Sequence, residues 1–186
     1  MVGNPFRLLR DFYASVFRRT AVLSAIKKGL APRVPLKISR RGILDYNKPG
    51  WCSGYVNRLA KILFNLNYAR GHAWTLFEKN NVVFSLLERT KDGELKPKKT
   101  SLRDFESHLK PGRLLGVWYP YSPNNNKAKA QGRPYSHVVL YYGKINGVHW
   151  VLHNLNGPKF EPLEKALSNY PKLGEGSVQE IIEPKK

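Results

Sequence analysis

One cysteine and two distant histidines are the residues of this sequence best suited to chemistry. Cys52 is the only cysteine, and it stands where an apolar helical pattern begins. Far downstream, His137 opens an alternating segment and His153 closes the next one. The unpaired amides of a helix N-terminus favour a thiolate, and a nearby imidazole can take the proton of a thiol. These residue types in this order predict a cysteine nucleophile and its base.

The elements that must position these residues follow from hydrophobic periodicity. Residues 52–66 have apolar side chains at helical spacing, which predicts a helix that begins at the cysteine. Residues 137–142 and 148–152 alternate as strands do, and the Asn146-Gly147 pair between them predicts a tight hairpin. The residue that faces His137 across this hairpin is the one expected to orient its ring. His153 is that residue, with Asn154 and Asn156 as alternatives.

The remaining pattern predicts an α+β fold with an antiparallel sheet, because helices come first and strands follow. Further helices are expected over residues 73–79, 101–109 and 162–169, and strands over 113–119 and 178–182. Residues 82–87 fit either a strand or the end of a helix, whereas residues 91–100 and 122–134 look like loops.

Composition limits the kinds of protein this chain can be. The chain has 186 residues, 41% of them hydrophobic, which is enough for one domain with a real core. A single cysteine excludes an intramolecular disulfide, and no Cys or His cluster has zinc-ligand spacing. The formal net charge of +19 predicts attraction to polyanions such as nucleic acid, an anionic membrane or an anionic cell-wall polymer.

No targeting segment is evident in the sequence. No run approaches the ~20 apolar residues of a membrane span, and Arg7, Arg10 and Asp11 interrupt the first apolar residues, unlike a secretory signal. The chain is therefore expected to be made in the cytoplasm without a signal peptide, and exported, if at all, by other machinery.

The first 45 residues are predicted to be a basic extension, with residues 46–186 as the main domain. Residues 5–30 have helical periodicity with basic residues between the apolar ones, and residues 31–45 look like an extended connector. A surface helix packed on the domain is one interpretation of residues 5–30, and a helix that contacts a membrane surface or nucleic acid is the other.

Residues 46–186 resemble the NlpC-type cell-wall peptidase superfamily, which has a papain-like fold and includes the CHAP amidases. Four segments carry the resemblance: Cys52-Ser53-Gly54-Tyr55-Val56, Leu109-Lys110-Pro111-Gly112-Arg113-Leu114, His137-Val138-Val139-Leu140-Tyr141-Tyr142-Gly143 and Trp150-Val151-Leu152-His153. They are similar, in order, to the family's nucleophile motif, the turn before its first core strand, the strand that bears its base and the next strand. The sequence departs from the family pattern at Trp51, Arg113 and Val139, and of the family's upstream Tyr-x-x-Gly-Gly segment only Tyr46 and Gly50 remain.

The resemblance implies a papain-like fold with N-terminal helices, a central helix bearing the nucleophile and an antiparallel sheet. It implies that Cys52 attacks an amide bond, that His137 is the base and that His153 orients it. It also implies a peptidoglycan substrate, either the stem peptide or the amide that joins peptide to glycan. No cofactor or metal is expected.

Several further residues are candidates for binding a substrate beside Cys52. Tyr46, Trp51 and Trp74 would line a cleft, although plain core packing also accounts for them, and Asn154 is a polar neighbour of His153. Two other functions use the same features. One is a nucleic-acid- or membrane-binding module in which Cys52 is inert, and the other is an acyltransferase or deamidase that acts on protein.

Overall fold

The computed structural model describes residues 18–32, 38–39, 42–43, 52–69, 71–92, 95–123, 137–168 and 172–185. Helices and an antiparallel sheet make up this part of the chain, which confirms the predicted α+β class. The helices are α1 (residues 18–27), α2 (Cys52–Phe64), α3 (Ala73–Lys79), α4 (Leu102–Phe105, followed by a 3₁₀ turn over Glu106–His108) and α5 (Leu163–Ser168). Among the described helices, none combines the length and the apolar character needed to cross a lipid bilayer.

Six antiparallel strands form the main sheet, in the order β3-β10-β6-β7-β8-β9. They are β3 (Asn81–Ser85), β6 (Leu114–Trp118), β7 (His137–Ile145), β8 (Val148–Asn154), β9 (Pro158–Pro162) and β10 (Ser177–Glu183). Two small pairs stand apart from it: β1 (Ile38–Ser39) with β2 (Gly42–Ile43), and β4 (Glu88–Arg89) with β5 (Leu95–Lys96).

Helix α2 lies across β7 and β8 and is the main helical layer over one face of the sheet. Tyr55, Val56, Leu59 and Ala60 are fully buried there. Their i, i+1, i+4, i+5 spacing lines one side of a helix, so the sequence pattern itself selects the buried face. Burying each of the larger side chains contributes about 1.5–3 kcal/mol.

The two faces of the sheet carry separate apolar clusters, because side chains alternate along each strand. The first cluster lies on the α2 side and includes Tyr55, Val56, Leu59, Leu63, Leu76, Phe77, Leu114, Val138, Leu140, Leu152 and Ile182. The second cluster lies on the opposite side, with α4 and α5, and includes Phe105, Leu115, Val117, Tyr119, Val139, Tyr141, Val151, Leu163, Ala166, Val178 and Ile181.

Part of the predicted N-terminal extension belongs to the first cluster. Val22 and Ile26 of α1 are buried in that cluster, and the Tyr55 hydroxyl donates a hydrogen bond to the Pro32 carbonyl at 2.9 Å. Residues 18–32 are therefore packed against the domain that the sequence analysis began at residue 46. The rest of the predicted helix, residues 5–17, lies outside the described residues.

The predicted hairpin is present, and a second one follows it. β7 and β8 are joined by Asn146 and Gly147, both with positive φ (50° and 81°), as the Asn-Gly pair requires. Strand β9, which the sequence analysis missed, pairs with β8 after a turn through Asn156 and Gly157. A proline at each end of β9 obscured it, yet prolines are tolerated because β9 is an edge strand.

Two further segments differ from expectation in a smaller way. The predicted helix over residues 101–109 is a single α-helical turn followed by the 3₁₀ turn, although the Asp104 carboxylate accepts the Ser101 amide at 2.6 Å as a capping residue should. The predicted loop over residues 91–100 contains β5, which pairs with β4.

Replacing Tyr68 with Phe should lower the free energy of unfolding by about 1–3 kcal/mol. The buried Tyr68 hydroxyl lies 2.8 Å from the Gly112 carbonyl and 3.2 Å from the Ile182 carbonyl, so its loss leaves two acceptors without this donor. Urea denaturation measures the change. Tyr121→Phe is the matched control, because the Tyr121 side chain is 72% exposed and its loss of a hydroxyl should change stability little. Equal effects of the two variants would contradict a structural role for the Tyr68 hydroxyl.

Candidate functional site

Cys52 is the first residue of α2 and is almost completely buried, with 9% of its surface exposed. The backbone amides of Val138, Ser53 and Cys52 itself face its sulphur and lower the pKa of the thiol, against the larger effect of burial. Two of these amides belong to the first turn of the helix, where N–H groups have no partner within the helix. The third comes from β7, so the thiol is held where the helix meets the sheet.

The thiol lies where β7 and β8 separate. The pairing of the two strands ends with Leu140 opposite Leu152. Two residues earlier on β7, the Val138 amide points to the Cys52 sulphur. The cysteine sulphur thus faces the Val138 amide at the point where the pairing of β7 and β8 ends. A buried amide without any partner there would be costly.

A chain of three buried polar side chains extends from the same end of the sheet. His137 Nε2 lies 3.1 Å from His153 Nδ1, and His153 Nε2 lies 3.0 Å from Glu161 Oε1. The exposed fractions of His137, His153 and Glu161 are 3%, 0% and 7%. The second carboxylate oxygen of Glu161 lies 3.8 Å from the Lys165 ammonium.

The direction of these hydrogen bonds follows from the carboxylate at one end. An ionised Glu161 carboxylate can only accept, so His153 Nε2 donates to it, and in a neutral His153 ring Nδ1 is then the acceptor. His137 Nε2 must then donate to His153, and the lone pair of this imidazole lies on Nδ1. The chain therefore selects the tautomer of His137 in which Nδ1 can take a proton.

Burial shifts the pKa of the Cys52 thiol and the pKa of the His137 imidazole in opposite directions. It raises the pKa of the Cys52 thiol above its ordinary value, and the three amides offset this only in part. Burial is the main cause that lowers the pKa of His137 well below its ordinary value, and a protonated His153 would lower it further. Both shifts favour the neutral form of each group, the thiol and the imidazole. The sequence analysis expected a bias towards thiolate, and desolvation outweighs the helix N-terminus here.

The thiol and the His137 ring approach the end of the sheet from its two faces. Cys52 and Val138 belong to the first cluster, whereas Val139 and Tyr119 belong to the second. The centroid of the His137 ring lies 6.0 Å from that of Tyr119. Among the described residues, no hydrogen bond joins the thiol to the ring. The peptide group between His137 and Val138 donates to the sulphur instead.

The other predicted site residues have different outcomes. Tyr46 and Trp51 lie outside the described residues, and of Trp74 only the backbone is described, within α3. Asn154 is 1% exposed and its Oδ1 accepts the Gly157 amide at 3.2 Å, within the turn that leads to β9. The side chain that is hydrogen-bonded to His137 is thus His153, and Asn154 shapes the following turn.

Glu161 is the site residue that sequence reasoning missed, because β9 was missed with it. A signal for the strand was present in the Asn156-Gly157 pair, which is the same hairpin signal that located β7 and β8. A second hairpin would have brought the acidic residue of the following segment back beside His153.

The described residues contain no group of three or more His, Cys, Asp or Glu side chains that could hold a metal ion. Comparison with protein-family models, with curated proteins and with solved structures gives no significant match to this chain. The resemblance to the NlpC-type superfamily therefore stays a prediction from its motifs.

The stability of the protein should fall as the pH drops below about 6.5, the ordinary pKa of histidine. His137 has a depressed pKa in the folded state, so the unfolded chain binds this proton first and acid favours unfolding. One such group contributes up to about 1.4 kcal/mol per pH unit. Urea denaturation at about pH 7.5 and about pH 5 measures the loss.

His137→Gln removes this titration and should make the acid-induced loss smaller, whatever the stability of the variant at neutral pH. His72→Gln is the control, because His72 is exposed and should leave the loss unchanged. The same acid-induced loss in both variants would contradict a buried neutral His137.

Proposed function

We propose that this protein is a cysteine hydrolase that cleaves an amide bond, with a papain-like arrangement of its catalytic groups. Cys52 is the nucleophile, His137 is the base, and His153 and Glu161 position His137. The observation that carries the proposal is the buried chain of hydrogen bonds from Glu161 through His153 to the His137 ring, on the residue next to Val138, whose backbone amide lowers the pKa of the Cys52 thiol. A buried carboxylate–imidazole–imidazole chain is a costly arrangement for a purely structural core, because every member must be paired.

The reaction starts from the neutral pair. Among the described residues no hydrogen bond joins the thiol to the His137 ring, so the reaction requires these two groups to come into contact when substrate binds. As the sulphur then attacks the carbonyl carbon of the substrate, His137 Nδ1 takes the thiol proton and becomes an imidazolium. Its charge is stabilised through His153 by Glu161, which remains ionised throughout. The imidazolium then gives the proton to the leaving nitrogen, the C–N bond breaks, and a thioester remains on Cys52.

Water completes the cycle. His137 takes a proton from water as the oxygen attacks the thioester, and the returning proton restores the thiol while the carboxylic acid leaves. The amides of Cys52 and Ser53 face the sulphur at the start of α2 and are the backbone donors nearest the point where negative charge develops on the carbonyl oxygen.

The substrate class comes from the motifs and the charge. The resemblance to cell-wall peptidases implies a peptidoglycan amide, and a formal net charge of +19 would concentrate the enzyme on an anionic wall.

His137→Ala should slow the alkylation of Cys52 by iodoacetamide by roughly tenfold or more near pH 7, because the thiol loses the base that removes its proton. Glu161→Gln should also slow it, because a neutral amide supports the imidazolium less well. The rate of labelling, followed by mass spectrometry across a pH series, measures both effects. Cys52 is the only cysteine, so a single adduct reports on the site.

His149→Ala is the matched control for this labelling. Like His137, His149 is a buried histidine of the main sheet, and it lies on β8. Its ring bonds to the Tyr141 hydroxyl at 2.8 Å and to the Glu106 carboxylate at 3.0 Å, in a separate network. The His149→Ala variant should label Cys52 at a rate within about twofold of that of the original protein. Labelling that follows an ordinary thiol pKa of about 8.5 and is indifferent to His137 would overturn the proposed mechanism.

The protein should release new amino groups from soluble peptidoglycan fragments, and Cys52→Ala should abolish the release. Glu161→Gln should lower kcat more than it raises KM, because Glu161 acts on the base and not on bound substrate. Amine derivatisation with chromatography measures both constants. No release by the original protein, together with His137-dependent labelling, would contradict the substrate class and leave the thiol chemistry intact.

A further inference from the structure

A second feature, away from Cys52, is a basic cavity beside the C-terminal half of α2. Its volume is about 450 Å³, and it is lined by Arg18, Arg19, Arg58, Lys61, Ile62, Leu63, Phe64 and Asn65. Two of these residues are the first described residues of α1, and the others come from α2 and the residue that follows it. Cys52 is at the opposite end of α2, so this basic cavity is distinct from the proposed catalytic site.

Four cations line this basic cavity, and its described lining contains no acidic side chain. Arg58 and Lys61 are three residues apart on α2, which makes them neighbours on one face of the helix, and like charges so placed repel each other. The negative end of the α2 dipole eases this only in part, because Lys61 alone is a basic residue of the last turn.

We infer that this basic cavity binds a phosphorylated ligand that carries at least two negative charges. The guanidinium groups of Arg18 and Arg19 offer planar pairs of donors that match phosphate oxygens, and Lys61 adds a point charge. Lys61 Nζ donates to Asn65 Oδ1 at 2.8 Å, which holds the ammonium beside the cavity. The inference is independent of the proposed hydrolase activity.

The size and the walls of the basic cavity specify the ligand further. A volume of about 450 Å³ falls in the range of small-molecule sites and exceeds that of a single phosphate ion. Ile62, Leu63 and Phe64 provide an apolar wall beside the four cations. The ligand therefore combines a phosphate or diphosphate group with an apolar or extended portion. The head of an anionic phospholipid and a free organic phosphate both have this chemistry.

The test uses the full chain with inorganic pyrophosphate as the probe, at about 0.15 M ionic strength so that long-range attraction is screened. Isothermal titration calorimetry should show saturable binding. The variant R18Q/K61Q removes one exposed cation from each side of the basic cavity and should weaken binding about tenfold or more, because each charge-assisted contact is strong.

The matched control is K79Q/K91Q, which lowers the net charge by the same amount at two exposed lysines that do not line the basic cavity. Its affinity for pyrophosphate should stay within about twofold of the original. Thermal unfolding of every variant without the probe checks that the fold persists. Equal weakening by R18Q/K61Q and K79Q/K91Q would overturn the inference, because it would mean that only net charge matters.

A second measurement distinguishes the two sources of the phosphate. Flotation with phosphatidic acid vesicles and with neutral phosphatidylcholine vesicles tests a lipid head group. Binding to the acidic vesicles that R18Q/K61Q loses and K79Q/K91Q keeps supports the lipid source. Saturable pyrophosphate binding without vesicle binding supports a free phosphate. Absence of both kinds of binding in the original protein would overturn the inference.

Discussion

The packing of α2 against β7 and β8 is the constraint on which the rest of the structure depends. Tyr55, Val56, Leu59 and Ala60 are fully buried in this contact, so the helix can neither rotate nor slide without exposing apolar surface or opening a void. Because the axis of α2 is held in this way, its first residue must lie at the end of the sheet where the two strands separate. The position of the Cys52 thiol is therefore a consequence of hydrophobic packing several residues away.

The same burial determines the electrostatics of the proposed catalytic groups. A thiol at a helix N-terminus in water would tend to ionise, but here the cost of desolvating the thiolate is the largest influence on the pKa of Cys52. His137 is subject to the opposite effect, since burial disfavours its imidazolium. In this low-dielectric interior the hydrogen bonds of the chain still have a defined donor and acceptor, because an ionised Glu161 fixes which nitrogen of each neutral ring carries a proton. The proposed enzyme is thus prepared for proton transfer without storing an ion pair.

Charge is distributed differently at the other end of α2. There Arg58 and Lys61 meet Arg18 and Arg19 of α1 in the basic cavity, and α1 itself is held by the burial of Val22 and Ile26. One helix consequently links a buried, nearly neutral site to an open, strongly basic one. The separation is physically sensible, because cations close to the catalytic groups would perturb the protonation of His137.

Local sequence alone determined most of the elements. Helical spacing located α2 and its first residue, and the Asn146-Gly147 pair located the β7–β8 hairpin, because both signals act between residues close in the chain. Cys52, His137 and His153 were identified in the same way, as residues at the ends of such elements. Strand β9, and Glu161 with it, was missed because its prolines are read as breaks unless the strand is known to lie at an edge.

Only the tertiary structure decided which of these residues meet and how they are protonated. His153, rather than Asn154, reaches the His137 ring because of strand register and separation, which involve residues far apart in sequence. The neutral state of Cys52 results from burial under the whole fold, and no local pattern reports burial of that kind. The basic cavity likewise brings together α1 and α2, about forty residues apart in the chain. The hydrophobic pattern of a sequence reports on residues within one or two helical turns or adjacent strands. Desolvation and the proximity of charges depend instead on which distant segments the folded chain brings together.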